Sequence, residues 1–404
     1  MRFLFYSHDG MGMGHVHRHL AIAAALVERR PDSKILLATS LDEVASLGLP
    51  PNVDTLKLPG LRKVENNQYA ARRLSLSSSQ IRHFRAAVLQ AAVESFQPSV
   101  ILADKHPFGV DGEFEAALVA GKKYGARTVL GLRDILDDTA AVLKEWSPDR
   151  LQERVAEFFD LVLIYGEQAL FDPIEKYQFP ACLVERTRYC GYVLNWPVYC
   201  THPTPWSSLL GAAPERHPIV VGTAGGGEDG YSMLKTFIGA AKGASWQSVV
   251  VTGPMIRQQE LLQLEDMAAA NGVILHKFVP GLSGMFDQSD CLVSMGGYNT
   301  LVEAVARGLP TVCVPRTSPR SEQLLRAQSF EQMGLLRMVH PEHLDVETLR
   351  QEISLALREP RTELRARAHK ALSFDGAASA VGHLLELVGS ICRDKEGRLV
   401  SVIE

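Results

Sequence analysis

Ser294-Met295-Gly296-Gly297-Tyr298-Asn299-Thr300-Leu301-Val302-Glu303-Ala304, running on through Arg307-Gly308-Leu309-Pro310 into the apolar run TVCVP, decides the architecture. The apolar run CLV precedes it, so the order is strand, paired glycines, helix, strand, the repeating unit of a parallel sheet. At such a turn the free amides of the helix start converge on one point, a suitable place for a diphosphate. Tyr298, Asn299 and Thr300 occupy that start. Glu303, one turn further on, is spaced to accept hydrogen bonds from a ribose diol. Beyond TVCVP, Arg316 to Gln323 form a polar loop past a strand end, where ligands of open α/β sheets bind.

Working outward, PIVVGTAGG, SVVVTG and VILHKFV lead up to that stretch in the same rhythm. Thr223-Ala224-Gly225-Gly226-Gly227-Glu228-Asp229-Gly230 again follows a strand and precedes a helical pattern. Its triple glycine allows backbone amides to approach a phosphate or sugar, or makes an ordinary flexible turn. The first half repeats the alternation with RFLFYS, KILLAT, VILAD, TVLGL and LVLIYG. A chain of 404 residues suits two cores rather than one. Pro197, Pro203, Pro205, Pro214 and Pro218 punctuate a linker. The expected domains are therefore 1–200 and 201–404, both doubly wound α/β. Ala377 to Cys392 reads as an amphipathic last helix, able to return to the N-terminal domain.

A third glycine loop opens the chain: His8-Asp9-Gly10-Met11-Gly12-Met13-Gly14-His15, leading into VHRHLAIAAALVERR. It is not a dinucleotide fingerprint, because His15 or His17 stands where G-x-G-x-x-G needs its last glycine, and no lysine followed by Ser or Thr makes it a P-loop. His15 sits where loop becomes helix. It is a candidate general base for an acceptor hydroxyl, or a histidine that only caps the helix. His15 and His19 share a helical face, but no carboxylate at matching spacing completes a metal set. Asp104 and His106 end the strand VILAD, with Lys105 between them, and Arg133 and Asp134 follow TVLGL. Gly12, Gly14, Asp104, His106 and Arg133 are therefore acceptor-side candidates, although strand-end polar residues also serve as helix caps.

Hydrophobic residues make up 46% and charged residues 22% of the chain, as in folded soluble proteins, and the formal net charge is -4. That balance speaks against a surface built for nucleic acid. FLFYS is too short for a signal-peptide core, and no apolar stretch reaches membrane-spanning length, so at most peripheral membrane contact is expected. The six cysteines, Cys182, Cys190, Cys200, Cys291, Cys313 and Cys392, form no CxxC pair, which fits a reducing, cytoplasmic setting. A basic run, Lys57, Arg62, Lys63, Arg72, Arg73, Arg82, His83 and Arg85, could meet an anionic acceptor or lipid headgroups, or form a solvated helix face.

GGYNTLVEAVARGLPTVCVPR followed by EQLLRA resembles the donor-site signature of family 28 glycosyltransferases, the MurG group, and GMGMGHVHRHLAIAAAL is similar to that group's N-terminal glycine loop. The resemblance implies a GT-B fold: two Rossmann-like, doubly wound parallel-sheet domains facing a central cleft, acceptor on the N-terminal side and donor on the C-terminal side. It implies inverting transfer of a hexose or N-acetylhexosamine from a nucleotide-diphosphate sugar, with uridine as the base. Gly296, Gly297 and Thr300 would hold the diphosphate and Glu303 the ribose. Gln323 and Glu322 would meet the sugar, Gly225, Gly226 and Gly227 would lie beside the pyrophosphate, and the backbone near Phe278 would meet the base. His15 would be the base or a transition-state stabiliser.

Two departures stand out. Arg326 replaces an Asn of the peptidoglycan enzyme's loop, and His15 and His17 lie in a longer Met-Gly run. The likeness is closer to uncharacterised relatives of the group, so the acceptor stays open, a lipid-linked or other small molecule. No Asp-x-Asp motif is present to hold a cation against a diphosphate, so neither metal nor cofactor is expected. Two alternatives share the loops: a sugar-nucleotide epimerase or hydrolase, with His15 and Asp104 or Glu322 as acid and base, and a non-catalytic nucleotide-sugar binding protein.

Overall fold

The computed structural model describes all residues except 9–13, 42–43, 45–47, 66–67, 148–149, 195–216, 280, 390, 394–398 and 402–404. Gly12, Cys200 and Pro197, Pro203, Pro205 and Pro214 of the linker lie outside the described residues, as do the side chains of Lys63 and Cys392. The chain divides into two compact units. One comprises Met1–Asp134, Thr139–Tyr199 and Asp375–Glu404; the other comprises Ile135–Asp138 and Cys200–Phe374.

In the first unit, β1 (Arg2–Tyr6), α1 (Gly14–Arg29), β2 (Lys34–Thr39) and β3 (Val53–Lys57) are followed by a hairpin of β4 (Leu61–Glu65) and β5 (Gln68–Ala71). Then come α2 (Ser78–Phe96), β6 (Val100–Asp104), α3 (Glu115–Lys123), β7 (Arg127–Arg133), α4 (Thr139–Trp146), α5 (Leu151–Phe158), β8 (Leu161–Tyr165) and β9 (Thr187–Tyr189). The parallel sheet runs β3-β2-β1-β6-β7-β8-β9. Val100–Asp104 and Leu161–Tyr165 are buried at every position. Such uninterrupted apolar strands belong to a sheet covered on both faces. The polar run RRLSLSSSQ ends in a capping box, with Gln80 N donating to Ser77 Oγ at 3.2 Å and Ser77 N to Gln80 Oε1 at 3.0 Å. That pair fixes the start of α2.

The second unit contains β10 (Ile219–Thr223), α6 (Tyr231–Ala241), β11 (Gln247–Val251), α7 (Gln258–Asn271), β12 (Ile274–His276), β13 (Cys291–Ser294) and α8 (Tyr298–Ala306). β14 (Thr311–Cys313), α9 (Glu322–Gln332), β15 (Arg337–Met338), α10 (Val346–Ala356) and α11 (Arg361–Ala371) complete it. Its parallel sheet runs β12-β11-β10-β13-β14-β15. The last helix, α12 (Gly376–Gly389), packs on α1 and so belongs to the first unit. It stops at Gly389, short of the Cys392 expected from its apolar periodicity, and a short strand, Ile391–Arg393, follows.

Both sheets reverse their winding at one place, between β1 and β6 in the first and between β10 and β13 in the second. The loops beyond the carboxyl ends of those strand pairs diverge there and leave a crevice for ligands. All three glycine loops of the sequence follow one of these four strands.

Candidate functional site

In the first unit, β1 and β6 pair with Tyr6 opposite Ala103, so α1, entered from β1, starts beside the end of β6. Asp104, the last residue of β6, is fully buried and meets two residues of the first turn of α1. His15 Nδ1 lies 3.0 Å from Asp104 Oδ1. Arg18, one turn along, forks onto the same carboxylate: Nε to Oδ2 at 3.0 Å, and Nη2 to Oδ2 at 2.7 Å and Oδ1 at 3.0 Å. Burial alone raises a carboxyl, but the Arg18 charge, followed by His15, holds that of Asp104 far below the usual range. Asp104 therefore stays ionised, and Arg18 compensates its charge.

His15 Nδ1 also lies 3.1 Å from Arg18 Nη2. Two N–H groups cannot point at each other, and Arg18 Nη2 already has both carboxylate oxygens. The network thus assigns the proton to Nδ1, donated to Asp104, and leaves Nε2 as the basic nitrogen. Sequence spacing points to His15 and names Asp104 only as a strand-end residue. Arg18 was missed, although its position three residues after His15 puts it on the same helical face.

More imidazoles gather here. His19 is fully buried and its Nε2 is 4.0 Å from Asp104, so the carboxylate that spacing failed to find beside His15 and His19 is supplied from a distant strand, already engaged by Arg18. Burial pushes His19 down to about 3. His8 is likewise held well below its ordinary range, by burial first and then by His15 and Lys105. Its ring lies 4.2 Å, centroid to centroid, from His106 and 5.8 Å from His15. His106 is turned there by Lys105, whose φ is +69°, with His106 N donating to Asp104 O at 2.8 Å. This is a γ-turn of the strained, positive-φ kind, and strain of that sort persists where surroundings enforce it. Gly14 is the first residue of α1, and Arg133 ends β7 half-buried. Asp134 is buried and accepts from Tyr192 Oη at 2.6 Å, a structural bond.

The basic run divides. Arg85 is fully buried, forked onto Glu113 at 2.6 Å through Nε and Nη2, with Tyr6 Oη 2.6 Å from the same carboxylate. It braces the fold and leaves the surface charge to others. Arg62, Arg72, Arg73 and His83 are exposed, and Arg82 pairs with Asp111 at 3.3 Å. Among them stand exposed apolar side chains not singled out in the sequence, Leu74, Leu76 and Phe84.

In the second unit the switch point is built of backbone. Thr223 and Ser294 end the paired strands β10 and β13, so the triple-glycine loop and the start of α8 lie side by side. A Cβ on Gly225 would sit 3.9 Å from Thr300 Oγ1. Gly227 has φ +97°, and a Cβ there would fall 2.5 Å from Thr252 O, so only glycine lets the triple-glycine loop press against the segment after β11. At Gly296, φ is +85°, with Cys313 Sγ and Gln323 Cβ closing in. Gly297 differs: its φ is -59° and nothing lies within 4 Å of where its Cβ would be. It is the N-cap of α8 and, being glycine, brings no capping side chain of its own to the first turn of Tyr298, Asn299 and Thr300.

Glu303 lies on the buried side of α8, 1% exposed, with Oε2 3.6 Å from Arg307 Nη1. Phe278 follows edge strand β12 and is 47% exposed. At the start of α9, Gln323 Oε1 accepts from Arg316 N at 3.1 Å, which leaves the Gln323 amide nitrogen to donate elsewhere. Arg316 donates from Nη2 to Glu322 Oε1 at 2.6 Å and from Nη1 to Asp229 Oδ2 at 2.7 Å. The loop arginine of the sequence is thus the link between α9 and the triple-glycine loop. Arg326 is fully buried, with Nη1 3.2 Å from Gly296 O and its guanidinium 5.5 Å from the Tyr298 ring centroid.

Residues 234–381 match the glycosyltransferase family 28 C-terminal domain. The UDP-N-acetylglucosamine--N-acetylmuramyl-(pentapeptide) pyrophosphoryl-undecaprenol N-acetylglucosamine transferase of Shouchella clausii is 32% identical over 100 residues, 24% of this chain and 27% of that one. Its Oenococcus oeni counterpart is 23% identical over 393 residues, 95% of this chain and 96% of that one. Among solved structures, MurG of Acinetobacter baumannii superposes with a TM-score of 0.58 at 13% identity, covering 95% of this chain and 99% of that one. The fold is GT-B, with two Rossmann-like α/β domains.

Proposed function

We propose, for a chain that belongs to the MurG-like family 28 glycosyltransferases, that it moves a hexose or N-acetylhexosamine from a UDP-sugar to an acceptor hydroxyl, with inversion and without a metal. The observation that carries this reading is the start of α8. A helix whose N-cap is glycine has no side chain of that residue standing between its positive end and an incoming anion. Gly297 stands there although neither its φ nor its packing requires glycine, so a ligand's close approach is the remaining physical reason for it.

In the proposed step His15 Nε2 takes the proton of the acceptor hydroxyl as its oxygen bonds to the anomeric carbon. The bond from that carbon to the diphosphate breaks, and its electron pair leaves with the nucleotide. Asp104 keeps His15 in the required tautomer. The amides of the first turn of α8 and of the triple-glycine loop receive the charge growing on the leaving diphosphate, the task a divalent cation performs elsewhere. Gln323 and Glu322 contact the sugar, and Glu303 serves the ribose once the nucleotide is seated. The epimerase reading fits less well. His15 and Asp104 form one hydrogen-bonded pair rather than an acid and a base acting separately, and Glu322 is engaged by Arg316.

For the acceptor, a lipid-linked molecule such as the relatives' printed names describe suits the exposed Leu74, Leu76 and Phe84 among Arg72, Arg73 and Arg82. Apolar side chains flanked by cations meet both halves of an anionic amphiphile. The test is calorimetric titration with UDP, GDP, dTDP and their sugars, with and without EDTA, followed by NMR of the product's anomeric configuration. UDP-selective, EDTA-insensitive binding and an inverted product are expected. Failure of every nucleotide to bind at millimolar concentration would sink the proposal.

A further inference from the structure

The segment Ile135–Asp138, one residue beyond the end of β7, belongs to the second unit, and it meets the proposed donor site at two points. Asp137 is buried, and its Oδ1 accepts from Ser321 N at 2.8 Å and from Ser321 Oγ at 3.3 Å. Ser321 is the N-cap of α9, and its own side chain makes no capping bond. Asp137 therefore does the capping from 184 positions away in sequence, and its negative charge lies at the positive end of the helix dipole. Arg320 Nε stands 3.9 Å from its other oxygen. The second point is Ile135, whose carbonyl accepts from Arg326 Nη2 at 3.3 Å, while Nη1 of the same guanidinium binds Gly296 O at 3.2 Å.

The two residues that follow this borrowed cap are Glu322 and Gln323. Both are fixed by Arg316, so their positions depend on where the first turn of α9 lies. On the donor reading given above, on which this inference rests, we infer that Asp137 is a positioning residue for the donor sugar: it sets the first turn of α9, and through it the contacts that distinguish a nucleotide sugar from the bare nucleotide. The diphosphate turn is held from one turn further along α9, by Arg326 on Gly296 with Ile135 O as its second partner. Loss of Asp137 should therefore be felt at the sugar and hardly at the diphosphate.

The experiment is calorimetric titration of wild type, Asp137→Ala and Asp137→Asn with UDP, UDP-glucose and UDP-N-acetylglucosamine, with thermal melts to verify folding. For Asp137→Ala, loss of a charged cap predicts about tenfold weaker binding of the preferred UDP-sugar and less than about twofold change for UDP. Asp137→Asn keeps an acceptor oxygen and should recover most of that loss. Ser321→Pro, which removes the donated N–H, should reproduce the alanine effect if Asp137→Ala folds poorly. Equal weakening of UDP and UDP-sugar, or an unchanged preference for the sugar, overturns the inference and leaves the transferase reading standing. A wild type that binds no nucleotide overturns both.

Discussion

The switch point of the first sheet and that of the second occupy the same topological place and are built from opposite materials. The first concentrates side chains: a buried carboxylate, a forked arginine and several imidazoles, of which His8 and His19 are held neutral by burial. The second concentrates backbone, with two glycine loops and a helix whose N-cap is glycine. On the proposed function, the difference follows from the charge each site would meet. Moving a proton needs a titratable atom at one fixed position, whereas a diphosphate is large, permanently charged and well served by several amides at once. One winding pattern thus supplies two kinds of site.

The sharpest way to break this contrast is His15→Ala. It should lower kcat by about 10²- to 10⁴-fold and leave UDP-sugar affinity unchanged; a parallel loss of donor binding by titration would deny the division of labour. Next in size is Arg18→Met. It leaves Asp104 buried and uncompensated, and urea unfolding at pH 7.5 should register a loss of about 3–5 kcal/mol. An unaffected midpoint would mean that the first site is far less dependent on paired charge than its geometry requires.

Acid should unmake the first site in two stages. His19 titrates near 3 when folded and near 6.5 when unfolded, so its contribution is complete above about pH 6.5 and is lost as pH falls from there. The slope reaches about 1.4 kcal/mol per pH unit. Asp104, held low, adds a second loss below the ordinary carboxylate range. His19→Phe should lessen the slope of the unfolding free energy between pH 6.5 and 5, the remainder belonging to His8, which is depressed in the same direction; an unchanged slope would place that proton uptake elsewhere. The smallest stability effect belongs to a glycine pair. Gly227→Ala should cost about 1–3 kcal/mol because its backbone and its neighbour both exclude a Cβ. Gly297→Ala should stay within about 0.5 kcal/mol of wild type, yet bind UDP several-fold more weakly. If UDP affinity survives in Gly297→Ala, the diphosphate does not sit at the start of α8.

How much of this could be read in advance depended on sequence distance. The strand, glycine and helix order at Ser294–Ala304 is a local pattern, and so is the parallel alternation on either side of it; both are legible because period and turn chemistry act over neighbouring residues. The place of His15 at the start of α1 is legible for the same reason. Asp104 was visible only as a strand end, since its partners lie on another helix, and Arg85 looked like surface charge because nothing near it in sequence reveals Glu113. Asp137 carried no signal at all. Its partner is Ser321, and a helix capped from so far away cannot be found by scanning for capping boxes.

The placement of α12 has a practical consequence for anyone recombining this chain with a relative. Splicing everything beyond the proline-rich linker would exchange α12 as well. It would strip α1 of a partner that contributes Ala380, Val381, Leu384 and Val388 as buried residues, and thereby disturb the helix that carries His15. A graft of the second unit that respects the covalent path needs two junctions, one within 195–216 and one between Phe374 and Asp375. Its product then keeps both ends of the polypeptide with the first unit.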